Sequence, residues 1–195
     1  HVKGNHLPID FFLLNSDDVY DSGSFEAVVH TITTTPGTDV VAGHSKLVDG
    51  DKLVARYETR ADLLPNTREV LIGRCLPNPR FYRRTLMQRI GPIDQRLGLV
   101  ADRDYLVRLI EAKAVTVPLA APLYVYRRHE GSLTFDADLK LRLRLRREMV
   151  ALGRRWRDDA AASSQTRAAG RELEGRQRLV LAVVALRSAR LSDAA

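Results

Sequence analysis

Four apolar residues, Phe11-Phe12-Leu13-Leu14, run without interruption into Asn15-Ser16-Asp17-Asp18, and this join constrains the chain more than any other stretch. So short an apolar run, closed by turn-forming residues, predicts a strand over 9–14 that is covered on both faces. In open α/β sheets the ligand crevice lies beyond the carboxyl ends of the strands, so the carboxylates of Asp17 and Asp18 are expected there. Adjacent carboxylates repel one another unless a cation sits beside them, and hard oxygen ligands suit Mg²⁺ or Mn²⁺. The join is thus a candidate divalent-metal site. Asn, Ser and Asp are also the residues of turns and helix caps, and on local grounds alone that plainer reading leads.

The rest of the chain bears on the choice. Its 195 residues, 45% apolar and 28% charged, suit a soluble globular protein with one core or a core plus an appendage. No apolar run approaches the roughly 20 residues of a membrane-spanning helix, and the first ten residues lack the apolar block of a signal peptide. A lone Cys75 excludes an internal disulfide and a cysteine-based zinc cage, which points to a reducing, cytoplasmic setting. The chain starts at His1 instead of Met, as expected of a fragment or a processed product. Its net charge of +7 is uneven: residues 1–135 hold 17 Lys and Arg against 16 Asp and Glu, whereas residues 136–195 hold 14 against 8. The division expected is an α/β domain over 1–135 and a basic helical tail over 136–195. Such a tail suits a membrane surface or, less well, nucleic acid, although an Arg-rich helix face is commonly just solvated.

Taken in order, Phe25, Val28, Val29 and Ile32 predict one face of a helix that stops before Pro36-Gly37. Asp39–Gly43 reads as a second short strand, and Lys46–Tyr57 as a hairpin around Asp49-Gly50-Asp51. A helix after Asn66 and a strand over Arg80–Arg83 follow. Thr85 and Gln88 match a capping box for a brief helix ending at Gly91-Pro92. Residues 101–113 predict a helix with Asp102 and Asp104 in its first turn, where the positive end of the helix dipole favours carboxylates. Val115–Pro118 and Leu123–Tyr126 read as two strands, the second running into the basic loop Arg127-Arg128-His129. Two helices, from about Asp136 and from Glu172 to Leu191, close the chain, with a break at 158–165.

Five segments in this order, LNSDD at 14–18, DVVAG at 39–43, FYRRTLMQRIGPID at 81–94, ADRDYLVRL at 101–109 and YRRHEGSLT at 126–134, together resemble the inverting glycosyltransferases of family two. The resemblance covers about 125 residues. It implies an α/β, Rossmann-like mixed sheet of the A-type nucleotide-sugar fold with flanking helices, and a nucleotide-sugar donor whose sugar passes to a saccharide or lipid-linked acceptor in cell-envelope polysaccharide synthesis. The family's metal motif falls on Asn15-Ser16-Asp17-Asp18, with Asp18 the ligand of Mg²⁺ or Mn²⁺ and Asn15 and Asp17 beside the donor. Its general base falls on Asp102, with Asp104 and Arg108 in substrate-binding or supporting positions. His129 is implied at the metal or diphosphate, together with Arg127 and Arg128. Two departures stand out. Ala101 replaces the Glu that often precedes the base, and only 14 residues precede Asn15, where the family carries roughly 80–100, the length of two or three βα units. The resemblance therefore implies the carboxyl-terminal part of such an enzyme, with weak donor binding by itself. Two other readings stay open: a non-catalytic domain of the same ancestry that holds a partner, membrane or nucleic acid through its Arg-rich tail, and another metal-dependent phosphate-handling enzyme.

Overall fold

A computed structural model describes residues 9–12, 18–73, 79–128 and 138–192, with side chains for 18–73, 79–128 and 138–187. The chain runs β1 (Ile9–Phe12), β2 (Val19–Tyr20), α1 (Ser24–Thr34), β3 (Val40–Asp49), β4 (Lys52–Tyr57), α2 (Arg60–Leu63), α3 (Thr67–Ile72), β5 (Arg80–Arg83), α4 (Arg84–Ile90), a 3₁₀ turn (Gln95–Val100), α5 (Ala101–Glu111), β6 (Thr116–Arg128), α6 (Leu139–Asp158) and α7 (Ser164–Ser192). The expected α/β class holds: a mixed open sheet carries helices on both faces and is compatible with a Rossmann-like arrangement. Its order is β1-β5-β3-β6-β2, with β4 also paired to β3; β3 and β6 run parallel and the other pairs antiparallel.

Alternation along the strands decides which face each side chain serves. Val41 and Phe81 join Val28 and Ile32 of α1 in one cluster, whereas their neighbours Val40 and Tyr82 point to the other face. There they meet Val70, Leu71, Leu106 and Leu109, and also Met149, Leu152, Trp156, Ala169 and Leu173 from α6 and α7. The basic carboxyl-terminal segment thus builds the same core as the sheet.

Several local expectations change on inspection. The two runs 39–43 and 46–49 form one continuous strand, β3, and Val115–Tyr126 likewise becomes the single strand β6 despite Pro118 and Pro122. Pro122 is accommodated by register shifts at Gly43–Ser45, where Leu123 occupies the space that a Cβ on Gly43 would fill. The capping box at Thr85 does not form, since α4 starts two residues earlier with Arg83 at its N-cap. Asn66 does cap α3, in a reciprocal box with Glu69. The last helix starts at Ser164, eight residues before the expected Glu172, because Ser163 Oγ accepts from the Thr166 N–H while Glu111 Oε2 accepts from the Ser163 N–H.

The helices α6 and α7 cross on Gly153 and Gly170. A Cβ on Gly153 would lie 2.7 Å from the Glu174 nitrogen and 2.8 Å from the Gly170 oxygen, both of them backbone atoms. Gly153→Ala is therefore expected to force the helices apart and to cost about 1–3 kcal/mol. Thermal unfolding of the variant checks this, and an unchanged midpoint would contradict the close crossing.

Candidate functional site

β2 is only two residues long, yet its pairing with β6 fixes Asp18. The Asp18 carboxylate is 6% exposed. Its Oδ2 accepts from the Tyr124 hydroxyl at 2.7 Å and its Oδ1 from the Arg127 backbone N–H at 2.8 Å. Asp18 thus sits beside the carboxyl end of β6, packed more tightly than a carboxylate in an open crevice. The Tyr124 ring in turn joins a cluster with those of Tyr20, Phe25 and Phe81, with centroids 5.0–5.5 Å apart where they touch. The guanidinium of Arg127 is exposed at this end of the sheet, and that of Arg128 lies 3.8 Å from Asp49. Asn15, Asp17 and His129 lie outside the described residues.

Tyr124 was not singled out from the sequence. Its only signal is the alternation Tyr124-Val125-Tyr126, which aims both tyrosines to one side of β6. A hydrogen bond to a charged group contributes about 1.5–3 kcal/mol. Tyr124→Phe is expected to lose that much stability, read by urea unfolding, because the buried Asp18 oxygen loses its donor; a loss under half a kcal/mol would show that Asp18 draws little from Tyr124.

Asp102 lies in the first turn of α5. Its Oδ1 accepts from the Arg103 N–H at 2.6 Å. The side chain is half-buried, and burial raises its pKa above the ordinary carboxylate value, against the lowering effect of Arg103. A carboxylate so placed is reluctant to carry charge and ready to take up a proton. No hydrogen bond joins Asp102 to Asp18. Two cavities on this side of the sheet, of about 280 and 210 Å³, are walled by Leu63, Arg80, Leu106 and Thr116 in one case and by Arg108, Glu111, Trp156 and Asp159 in the other, and neither carries Asp18 or Asp102.

Asp104 and Arg108 take the supporting role. Asp104 is fully buried, with Arg108 Nε donating to its Oδ2 at 3.0 Å. The Arg108 Nη1 and Nη2 donate to the Ile90 and Pro92 carbonyls, and its guanidinium lies 5.0 Å from the Tyr105 ring centroid. With its donors turned to the scaffold, Arg108 fixes the loop ahead of α5 instead of facing a ligand. Arg155 of α6 lies 3.2 Å from Asp104 Oδ1 without hydrogen-bond alignment, and 3.1 Å from Asp94. Burial is the largest influence on Asp104 and raises its pKa despite both arginines. Glu148, also of α6, accepts from the Leu99 N–H at 2.6 Å, just before α5 begins. Arg103 adds a further brace by donating to the Val70 and Gly73 carbonyls of α3. Nothing in the sequence pairs Glu148 or Arg155 with α5, since about fifty residues separate them.

For Mg²⁺ or Mn²⁺, no three His, Cys, Asp or Glu side chains converge among the described residues. Holding such an ion through one hard carboxylate needs waters and substrate phosphates to complete the shell. Asp18 is the carboxylate in question, its oxygens accepting from the Tyr124 hydroxyl and the Arg127 backbone N–H. A scan against protein-family models finds no match to this chain, and no curated protein matches it in sequence.

Proposed function

We propose that this α/β scaffold is of the A-type nucleotide-sugar class and that the chain serves a metal-dependent, inverting glycosyl transfer from a nucleoside-diphosphate sugar to a saccharide or lipid-linked hydroxyl. The observation that carries the reading is Asp102: a half-buried carboxylate with a raised pKa, at the start of a helix braced by α3, α6 and the 90–99 loop. In this reading Asp102 accepts the proton of the acceptor hydroxyl as that oxygen bonds to the anomeric carbon, while the bond from that carbon to the diphosphate breaks and its electron pair leaves with the phosphate. Arg127 and Arg128, at the end of the strand that holds Asp18, supply cations for the departing diphosphate. Asp18 would hold Mg²⁺ or Mn²⁺, which when bound offsets charge on the leaving group.

The test is calorimetric titration with nucleoside diphosphates in the presence of Mn²⁺, alongside turnover of a panel of nucleotide sugars, on this chain and on a form carrying any coding sequence upstream of His1. Binding that needs the metal and weakens with Asp18→Asn is expected. If neither form binds any nucleoside diphosphate, the transferase reading fails. The burial of Asp18 would then favour the alternative of a non-catalytic domain of similar architecture, with Asp18 as a scaffold residue.

A further inference from the structure

The end of the α6–α7 hairpin remote from its turn gathers features that the transferase reading leaves unused. The Gly153–Gly170 crossing and the hydrogen bond from Arg146 to Gln177 fix an antiparallel register. In that register Leu139, the start of α6, falls opposite Val184 of α7. At this end Leu179 and Leu186 are 66% and 65% exposed, Leu139 is 58% exposed, and Leu145, Val180 and Val183 are exposed as well. Six of the eleven exposed large hydrophobic side chains described for the molecule therefore lie at one end of one hairpin. A cluster of that kind marks a contact surface, whereas single exposed leucines do not.

The charge around it is mainly positive, with Asp138 at the N-cap of α6 a carboxylate at the same end. Residues 139–147 and 175–192 contain nine Lys and Arg and no Asp or Glu. Some of these cations are tied to neighbours: Arg144 to Glu148, Arg176 to Glu172 and Arg178 to Glu174. No carboxylate of the described residues lies within ion-pair distance of Lys140, Arg142, Arg147 or Arg187. The apolar block Leu179–Leu186 has arginines before and after it and spans about 12 Å of helix, and no helix among the described residues is long and apolar enough to cross a membrane.

We propose that this end of the hairpin is a docking surface for an anionic phospholipid membrane. Aliphatic side chains enter the boundary between headgroups and acyl chains, while the arginine stems lie along it and their guanidinium groups meet phosphate oxygens. Charge complementarity selects an anionic partner, and the exposed aliphatics require one with an apolar phase. A nucleic acid offers none, and stacking on its bases calls for aromatic side chains. Trp156 is the only aromatic residue in 136–195, and it is 4% exposed within the core. The surface goes beyond the transferase reading and stands independently of it.

Vesicle flotation with the whole chain tests the proposal, using phosphatidylcholine vesicles with and without phosphatidylglycerol. Binding to the anionic vesicles is expected to exceed binding to the neutral ones by at least about tenfold. The double substitution Leu179→Ser with Leu186→Ser should lower it about tenfold or more. Arg142→Gln with Arg147→Gln should lower it about 10- to 30-fold. All of these side chains are exposed, so unchanged thermal midpoints are expected and serve as the folding control. Three results overturn the proposal: leucine variants that bind anionic vesicles as tightly as the parent; RNA or heparin bound as strongly as the vesicles and indifferent to the leucine changes, which marks a polyanion site; or a dimer that the leucine changes dissociate, with no vesicle binding by the parent, which marks an interface between copies.

Discussion

Replacing Asp102 by Asn is expected to lower the proposed glycosyl transfer about 10²–10⁴-fold, the range of a general base, and at the same time to stabilise the fold at neutral pH. The two effects have one cause. Burial penalises the charged form of Asp102 and raises its pKa in the folded state. A carboxyl group whose folded pKa exceeds its unfolded value costs stability as pH rises from the unfolded pKa through the folded one, and above that the full penalty remains. Asn removes the penalty, while its Oδ1 can still accept from the Arg103 N–H. Unfolding measured at pH 4 and pH 8 should show the variant close to the parent at the lower pH and more stable at the higher. Turnover in the same preparations completes the test. A variant that is destabilised at pH 8, or that turns over at the parental rate, removes Asp102 from the base position.

The second large effect concerns the brace. Arg108→Met retains an unbranched, space-filling side chain but takes away one of the two guanidinium groups beside the fully buried Asp104, together with the bonds to the Ile90 and Pro92 carbonyls. Breaking a buried pair from one side leaves an undercompensated charge, at a cost of about 3–5 kcal/mol. Because the Asp104 pKa is already raised and loses one of its lowering partners, the deficit should widen with pH: smallest in acid, where both folded and unfolded chains hold the proton, and largest above neutrality. Urea unfolding across that range checks the size and the slope. Arg108→Lys should recover only part, since a single ammonium cannot reach Asp104 and both carbonyls with the guanidinium's fixed fork. A deficit under 1 kcal/mol that is flat in pH would mean that Arg155 alone satisfies Asp104.

Much of this architecture was legible because local chemistry and tertiary position agree. The Asp49-Gly50-Asp51 turn, the Asn66 cap and the acidic start of α5 each depend on residues within a few positions of one another. What eluded the sequence depends on distance along the chain. Residues 115–118 and 123–126 read as two strands, but they belong to one, with Pro122 taken up at a register shift against the parallel partner β3. Thr85 lost its capping role because α4 takes its start from the end of β5. In the candidate site, Asp18 and Asp102 were visible as carboxylates at element ends, whereas the partners of Asp18 come from β6 and the contacts that brace the start of α5 come from the hairpin. Arg108 reads like a ligand-facing cation until the Ile90 and Pro92 carbonyls are seen to occupy it.

The shift in charge near residue 136 invites a cut there when a shorter protein is wanted, yet Glu148 and Arg155 reach back across it to Leu99 and Asp104. Trimming the hairpin would leave a backbone amide and a sealed carboxylate short of their counterparts and would open the apolar side of α5 to water. A shortened version should be sticky and slack around residue 102, so graft boundaries and deletion libraries are better placed in the exposed Asp49–Lys52 hairpin turn.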